Sequence, residues 1–328
     1  MKMYIAVNEE NGHGRELISM LPAQLRRCLC NIDLDGASEL RLIAGQPLSL
    51  RYADGDMYVT SRSSLTRLAA GGVRVTREQL CELLEKMTGS SLYSVKDEIC
   101  SGYITLEGGH RAGIAGTAVT DNGRVDFLRD ISAVNIRIAK EVIGAADKVM
   151  KYVTMPDGVR STLIISPPGA GKTTMLRDIA RQLSYGGYAV SVADERCEIA
   201  AMRDGMSAFD LGPRTSVTDN CPKTAAMLML LRSMSPDVIV TDEIGTYEDA
   251  RAVMSIKNSG TAVIASAHAR NIGELERRAE TKEAAEMFDL IVVLSRREGP
   301  GTVSDIMVRD KKGNLNREEN VYKEAEVC

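Results

Sequence analysis

One run constrains this chain more than any other: Leu163-Ile164-Ile165-Ser166-Pro167-Pro168-Gly169-Ala170-Gly171-Lys172-Thr173-Thr174-Met175-Leu176. It reads as a buried strand, a glycine-bearing loop and the opening of a helix, an order that calls for an α/β layer structure. The residue types suit a nucleoside triphosphate. Gly169 and Gly171 let backbone N–H groups turn toward phosphate oxygens, Lys172 reaches the outer phosphates, and the Thr173 hydroxyl can ligate Mg²⁺. The helix that follows adds its positive N-terminal end. The expected cradle is therefore Ser166, Pro167, Pro168, Gly169, Ala170, Gly171, Lys172, Thr173 and Thr174. The pattern G-x-x-x-x-G-K-[ST] asks for glycine where Ser166 stands, and the rest is in register.

The second half continues the alternation. Strands are expected at 162–165, 189–193, 238–241, 262–265 and 290–294, as near-continuous apolar runs suited to a parallel sheet covered on both faces. Helices are expected at 173–184, 223–233, 247–258 and 272–286. The helix from Lys223, apolar almost all round, is expected to be buried core. Ligands of such sheets bind beyond the carboxyl ends of the strands, which is where the loop at 169–173 falls.

Three further groups end on that face. Pro236-Asp237-Val238-Ile239-Val240-Thr241-Asp242-Glu243 is an apolar strand closing in two acids. Asp242 is expected to share the Mg²⁺ shell with Thr173, and Glu243 to polarise the attacking water. Asp194-Glu195-Arg196-Cys197-Glu198 follows the second strand, and its acids suit either the site or the positive end of a helix. His268 closes the fourth strand, placed to sense a terminal phosphate or orient water. The polar segment 210–222 reads equally as a partner loop or a solvated connection, and the Arg277-Arg278 pair as a solvated helix face.

Residues 1–145 form a smaller α+β domain in this reading, and 146–328 the nucleotide domain. An amphipathic helix is expected over 15–31 and two short strands at 39–43 and 48–52. A second helix, with its face at Leu80, Leu83, Leu84 and Met87, spans 76–88. From 103 to 138 a four-stranded meander is expected, turning at Asn122-Gly123. From about Asp310 the chain is charged and turn-rich enough to be loosely ordered.

Composition removes other classes. A net charge of −4, spread over both halves, and three Phe with no Trp argue against nucleic-acid binding. Seven scattered cysteines without a C-x-x-C pair suit reduced thiols in the cytosol. The longest apolar run, Ala225 to Leu231, is far short of the ~20 residues that span a bilayer. Membrane association is therefore expected only through partners.

With these residues in place, the chain resembles the stage III sporulation protein AA family, sporulation ATPases related to the type II and type IV secretion ATPases. The resemblance is carried by Ser166 to Thr173, Val192-Ala193-Asp194-Glu195-Arg196-Cys197-Glu198-Ile199-Ala200, Asp210-Leu211-Gly212-Pro213-Arg214-Thr215, and Leu231-Arg232-Ser233-Met234-Ser235-Pro236-Asp237 ahead of Asp242-Glu243. It makes Ser166 part of the family's own loop. It implies a RecA-like ATPase core using ATP and Mg²⁺, a preceding secretion-ATPase-like domain, and a homo-oligomer, a ring of six. Asp194, Glu195 and Glu198 match the family's Asp box and His268 its His box, so Glu243 competes with Glu195 and Glu198 for the role of base. Arg111 and Arg137 become candidates for completing a neighbour's site, with plain surface-strand positions as the alternative. The resemblance places the protein in the mother-cell cytoplasm, energising a channel between mother cell and forespore and docked on membrane-anchored partners. A nucleotide-gated assembly factor with little turnover is the alternative.

Overall fold

The computed structural model describes residues 17–34, 36–89, 102–121, 123–203, 205–277, 279–310 and 312–320. The chain divides into two compact units between Lys140 and Glu141.

Among the described residues of the first unit, seven strands make one antiparallel sheet. These are β1 (Glu39–Ile43), β2 (Ser49–Tyr52), β3 (Gly55–Val59), β4 (Leu65–Thr66), β5 (Tyr103–Thr105), β6 (Arg111–Asp121) and β7 (Arg124–Arg137), in the order β4-β3-β2-β1-β7-β6-β5. Helices α1 (Ala23–Leu29) and α2 (Arg77–Met87) contribute Leu25, Leu29, Leu80 and Leu83 to its core. The helix expected over 15–31 is interrupted. Residues 17–20 are helical, and Pro22 then starts α1 at φ −52 and ψ 143, an extended conformation that closes one helix before the next begins. Thr76 and Gln79 form a reciprocal capping box on α2.

The expected four-stranded meander contains three strands. The third and fourth are one strand, β7, because irregularities opposite Ala115–Thr117 and Val119–Thr120 and a left-handed Asp130 bend the ladder without breaking it. Asn122 of the expected turn lies outside the described residues. Gly123 has φ +79, as a tight turn between the paired Asp121 and Arg124 demands. Strands β3 and β4 were not expected from the sequence.

The second unit contains helices α3 (Asp147–Val153), α4 (Lys172–Tyr185), α5 (Lys223–Met234), α6 (Tyr247–Asn258), α7 (Ile272–Leu275) and α8 (Ala279–Glu286). Its sheet has eight strands among the described residues: β8 (Thr162–Ser166), β9 (Val190–Asp194), β10 (Thr215–Asp219), β11 (Val238–Glu243), β12 (Ala262–His268), β13 (Leu290–Ser295), β14 (Thr302–Arg309) and β15 (Leu315–Asn320). Their order is β10-β9-β11-β12-β8-β13-β14-β15, parallel from β10 to β13 and antiparallel beyond. Every residue of β8 is buried. Ile164 faces one core with Met175, Leu176 and Ile179 of α4. Leu163 and Ile165 face another with Met227, Leu230, Val253 and Ile256 of α5 and α6. Cover on both faces explains the unbroken apolar runs.

Three expectations change. The segment read as a polar connection contains β10, a half-buried edge strand whose Thr215-Ser216-Val217-Thr218 pair in register with β9. Part of the segment expected to be loose is β15, held against β14 from Asn320 to Leu315. Helix α5 is core on one side only, since Met229 and Met234 are exposed.

Candidate functional site

The site grows from the end of β8. Ser166 is fully buried, and its hydroxyl donates to the Pro167 carbonyl at 2.7 Å, so the residue in glycine's place is turned into the loop. Pro167 and Pro168 have no N–H to offer a phosphate, so the donors begin at Gly169. Gly169 and Gly171 both take left-handed backbone, φ +65 and +92, and Gly171 caps α4. That geometry leaves the first N–H groups of α4 without helical partners at the loop's mouth.

A support that the sequence reading missed lies against this loop. The Arg296 Nε donates to the Gly169 carbonyl at 3.1 Å and its Nη2 to the Pro168 carbonyl, while the Gly301 N–H donates to the Ala170 carbonyl at 2.8 Å. A Cβ on Gly171 would stand 2.8 Å from the Gly301 nitrogen, so this glycine is required by contact as well as by φ. The segment joins β13 to β14, at the carboxyl end of a parallel strand. Its Gly299-Pro300-Gly301 run was the available signal.

The expected residues converge from three adjacent strands and the loop. The Lys172 Nζ lies 2.9 Å from the His268 Nδ1, and the His268 Nε2 lies 3.1 Å from a Glu243 carboxylate oxygen. A lysine ammonium only donates, so Nδ1 accepts and the proton on Nε2 points at Glu243. Burial draws the Lys172 ammonium below its ordinary pKa, against the opposing pull of Glu243 and Glu198. Arg196 approaches Glu243 at 3.9 Å, in an exposed geometry.

The cluster after β9 divides. The fully buried Asp194 accepts from the backbone N–H groups of Glu198 (2.9 Å), Ile199 and Ala200 (2.8 Å), so it holds the turn together. Glu195 lies 3.6 Å from the Lys223 ammonium, and the Glu198 carbonyl accepts from Arg177 of α4 at 2.8 Å. The Arg177 guanidinium also lies over the Phe209 ring, 3.4 Å from its centre. Burial lowers its pKa to about 10. The Cys197 thiol is pushed up to about 12 by burial and by Asp194 and Asp219, which makes it inert. The five described cysteines are all free thiols.

Asp242 is 8% exposed, and neither of its carboxylate oxygens has a hydrogen-bond partner among the described residues. Burial raises its carboxyl pKa to about 7, with Lys223 opposing and Asp194 and Glu195 adding. An orphaned buried carboxylate at the carboxyl end of β11 fits Mg²⁺, which takes one or two protein oxygens and completes its shell with water and phosphate. The same raised pKa carries a prediction for protein free of nucleotide and metal. Folding favours the protonated acid, so stability is lost as pH rises from about 4 to about 7. Asp242→Asn should therefore raise the melting temperature at about pH 8, with the gain shrinking toward about pH 4. A gain of equal size at both pH values would contradict it.

Arg111 and Arg137 lie in the first unit, directly opposite each other across β6 and β7, and the Arg111 guanidinium stands 4.5 Å above the Tyr103 ring. No helix among the described residues is long and apolar enough to cross a membrane.

The sequence matches the family described as sporulation stage III, protein AA, over residues 12–315. Stage III sporulation protein AA of Bacillus subtilis (strain 168) is 37% identical over 310 residues, 92% of this chain and 96% of that protein. Competence protein ComGA of Streptococcus pneumoniae (strain ATCC BAA-255 / R6) is 30% identical over 153 residues, 45% of this chain and 46% of that protein. Among solved structures, the Legionella pneumophila ATPase DotB matches with a TM-score of 0.56 at 14% identity, covering 89% of this chain and 84% of that one. The pilus retraction motor PilT with bound ADP matches at 0.50 and 15% identity, covering 86% and 78%. The fold is the RecA-like α/β fold expected from the sequence. By the length and identity of these matches, the chain belongs to the sporulation stage III, protein AA family.

Proposed function

We propose that the chain binds ATP with Mg²⁺ and hydrolyses it, and that it does so as a ring energising a channel or secretion-like complex between mother cell and forespore. The observation that carries this reading is the connected set Lys172, His268 and Glu243 beside the orphaned Asp242. The Lys172 ammonium stands 2.9 Å from the His268 Nδ1. A triphosphate draws the ammonium onto its outer oxygens, which frees Nδ1 and leaves the His268 Nε2–H on Glu243. Glu243 then accepts the proton of a water directed at the terminal phosphorus. Asp242 and the Thr173 hydroxyl would hold Mg²⁺, which supplies charge neutralisation across the outer phosphates.

In this reading the cytosolic domains of membrane-anchored partners receive the work, and the protein meets the membrane through them. Arg111 and Arg137 reach a neighbouring subunit's phosphates. Mixing tests the shared site: Arg137→Ala and Lys172→Ala subunits, each inactive alone, should regain roughly a quarter of wild-type phosphate release at equal ratio, for a site built from two chains. No recovery in co-assembled rings would remove the trans arginine. A particle that stays monomeric with and without ATP would remove the ring.

A further inference from the structure

Lys223 is the first residue of α5, with Pro222 in the cap position and no acidic residue in the first turn. A cation there opposes the helix dipole, whose N-terminal end favours carboxylates, so a tertiary reason must hold it. Its ammonium provides that reason. It donates to the backbone carbonyl of Glu243 and lies 3.6 Å from the Glu195 carboxylate and 3.6 Å from that of Asp249. These acceptors belong to three separate segments: the turn after β9, the end of β11 and the first turn of α6. The Lys223 side chain is 17% exposed and that of Asp249 only 2%, so this contact is shielded from water, while the Glu195 side chain, 37% exposed, meets the ammonium at the surface.

The far end of the same segment is held by Asp249. Its carboxylate accepts from the N–H groups of Gly245 at 2.9 Å and Thr246 at 3.0 Å, while its own N–H donates to the Thr246 hydroxyl at 3.2 Å. Residues 243–249 are thus suspended between one ammonium and one carboxylate that also face each other. Fixing the Glu243 carbonyl sets the plane of the peptide from which its side chain departs toward His268.

We propose that Lys223 is a positioning residue: it clamps the end of β11, which carries Asp242 and Glu243, to the turn at Glu195 and to the cap of α6, so that both carboxylates keep their directions while nucleotide enters and leaves. The catalytic half of this inference rests on the role proposed for Glu243, and the clamp itself does not. Lysine's stem reaches all three acceptors from one point, and arginine brings the same charge with a longer reach.

The test compares the full-length wild type with Lys223→Met, Lys223→Gln and Lys223→Arg, by peptide-resolved amide hydrogen exchange without nucleotide and by steady-state ATP turnover. Lys223→Met and Lys223→Gln should speed exchange across 242–249 by about tenfold or more and leave the β1–β2 hairpin unchanged. Their kcat should fall by about 30-fold with KM within about threefold, and Lys223→Arg should restore most of both readouts. Wild-type exchange rates over 242–249 in Lys223→Met or Lys223→Gln would overturn the clamp, whether or not the wild type turns over ATP. Exchange rising throughout the second unit, with kcat and KM worsening together, would overturn positioning in favour of a general part in the fold. A wild type that releases no phosphate above the Lys172→Ala background would count against the proposed hydrolysis, and the exchange result would still decide the clamp.

Discussion

Lys172→Ala should abolish tight nucleotide binding and lower phosphate release to background, on the function proposed above. The ammonium is half-buried and lies 2.9 Å from the His268 Nδ1. Replacing it removes charge-assisted hydrogen bonds to the outer phosphates at about 1.5–3 kcal/mol each, so two such bonds amount to about 10²–10⁴ in affinity. The nucleotide-free fold changes little, because the His268 Nδ1 loses its partner at a side chain that still meets water. Fluorescent-nucleotide titration, together with thermal melts of both proteins, measures the two effects separately. Wild-type affinity in Lys172→Ala would mean that this loop does not hold phosphate.

Glu243→Gln separates chemistry from binding. Glutamine keeps an acceptor for the His268 Nε2–H and the shape of the side chain, but it cannot take a proton from water. Turnover should fall about 10²–10⁴-fold, the range of general-base catalysis, with nucleotide affinity within about threefold. Glu195→Gln and Glu198→Gln are the comparison. Glu195 is engaged by Lys223, and the backbone of Glu198 is engaged by Arg177, whereas Glu243 is joined through His268 to the loop lysine. Each of those two variants should lose less than about tenfold. A full loss in Glu198→Gln alongside a near-normal Glu243→Gln would move the base to the turn after β9.

The parts of this molecule that were legible in advance are those where one periodicity acts alone. Strands β8, β11, β12 and β13 are buried on both faces and stand out as apolar runs, and the loop at 169–173 combines residue types that few other roles require. The edge strands β10 and β15 were hidden because an edge needs no apolar run: Thr215-Ser216-Val217-Thr218-Asp219 is half-buried throughout, and β15 reads as charge. Asp194 shows a different limit. Its type and place suggested the chemistry, but its carboxylate is engaged by three consecutive N–H groups, and spacing in sequence cannot show which way a side chain turns. Arg296 and Lys223 were passed over for a related reason. Each acts across 20 or more positions of sequence, on carbonyl oxygens that every residue possesses.

The brace of Gly301 against Ala170 and Gly171 has a consequence for synthesis. The central strand β8 leaves the ribosome long before its neighbours, which begin at Ala262 and Leu290, and the nucleotide loop rests on a turn later still. A nascent chain therefore carries the complete loop sequence, exposed and without its floor, through most of the translation of its own domain. Pairings this distant along the chain close slowly. On the function proposed above, a triphosphate would therefore have no finished cradle to stabilise until the turn at Gly301 has emerged, and the unfinished sheet would keep open strand edges through that interval.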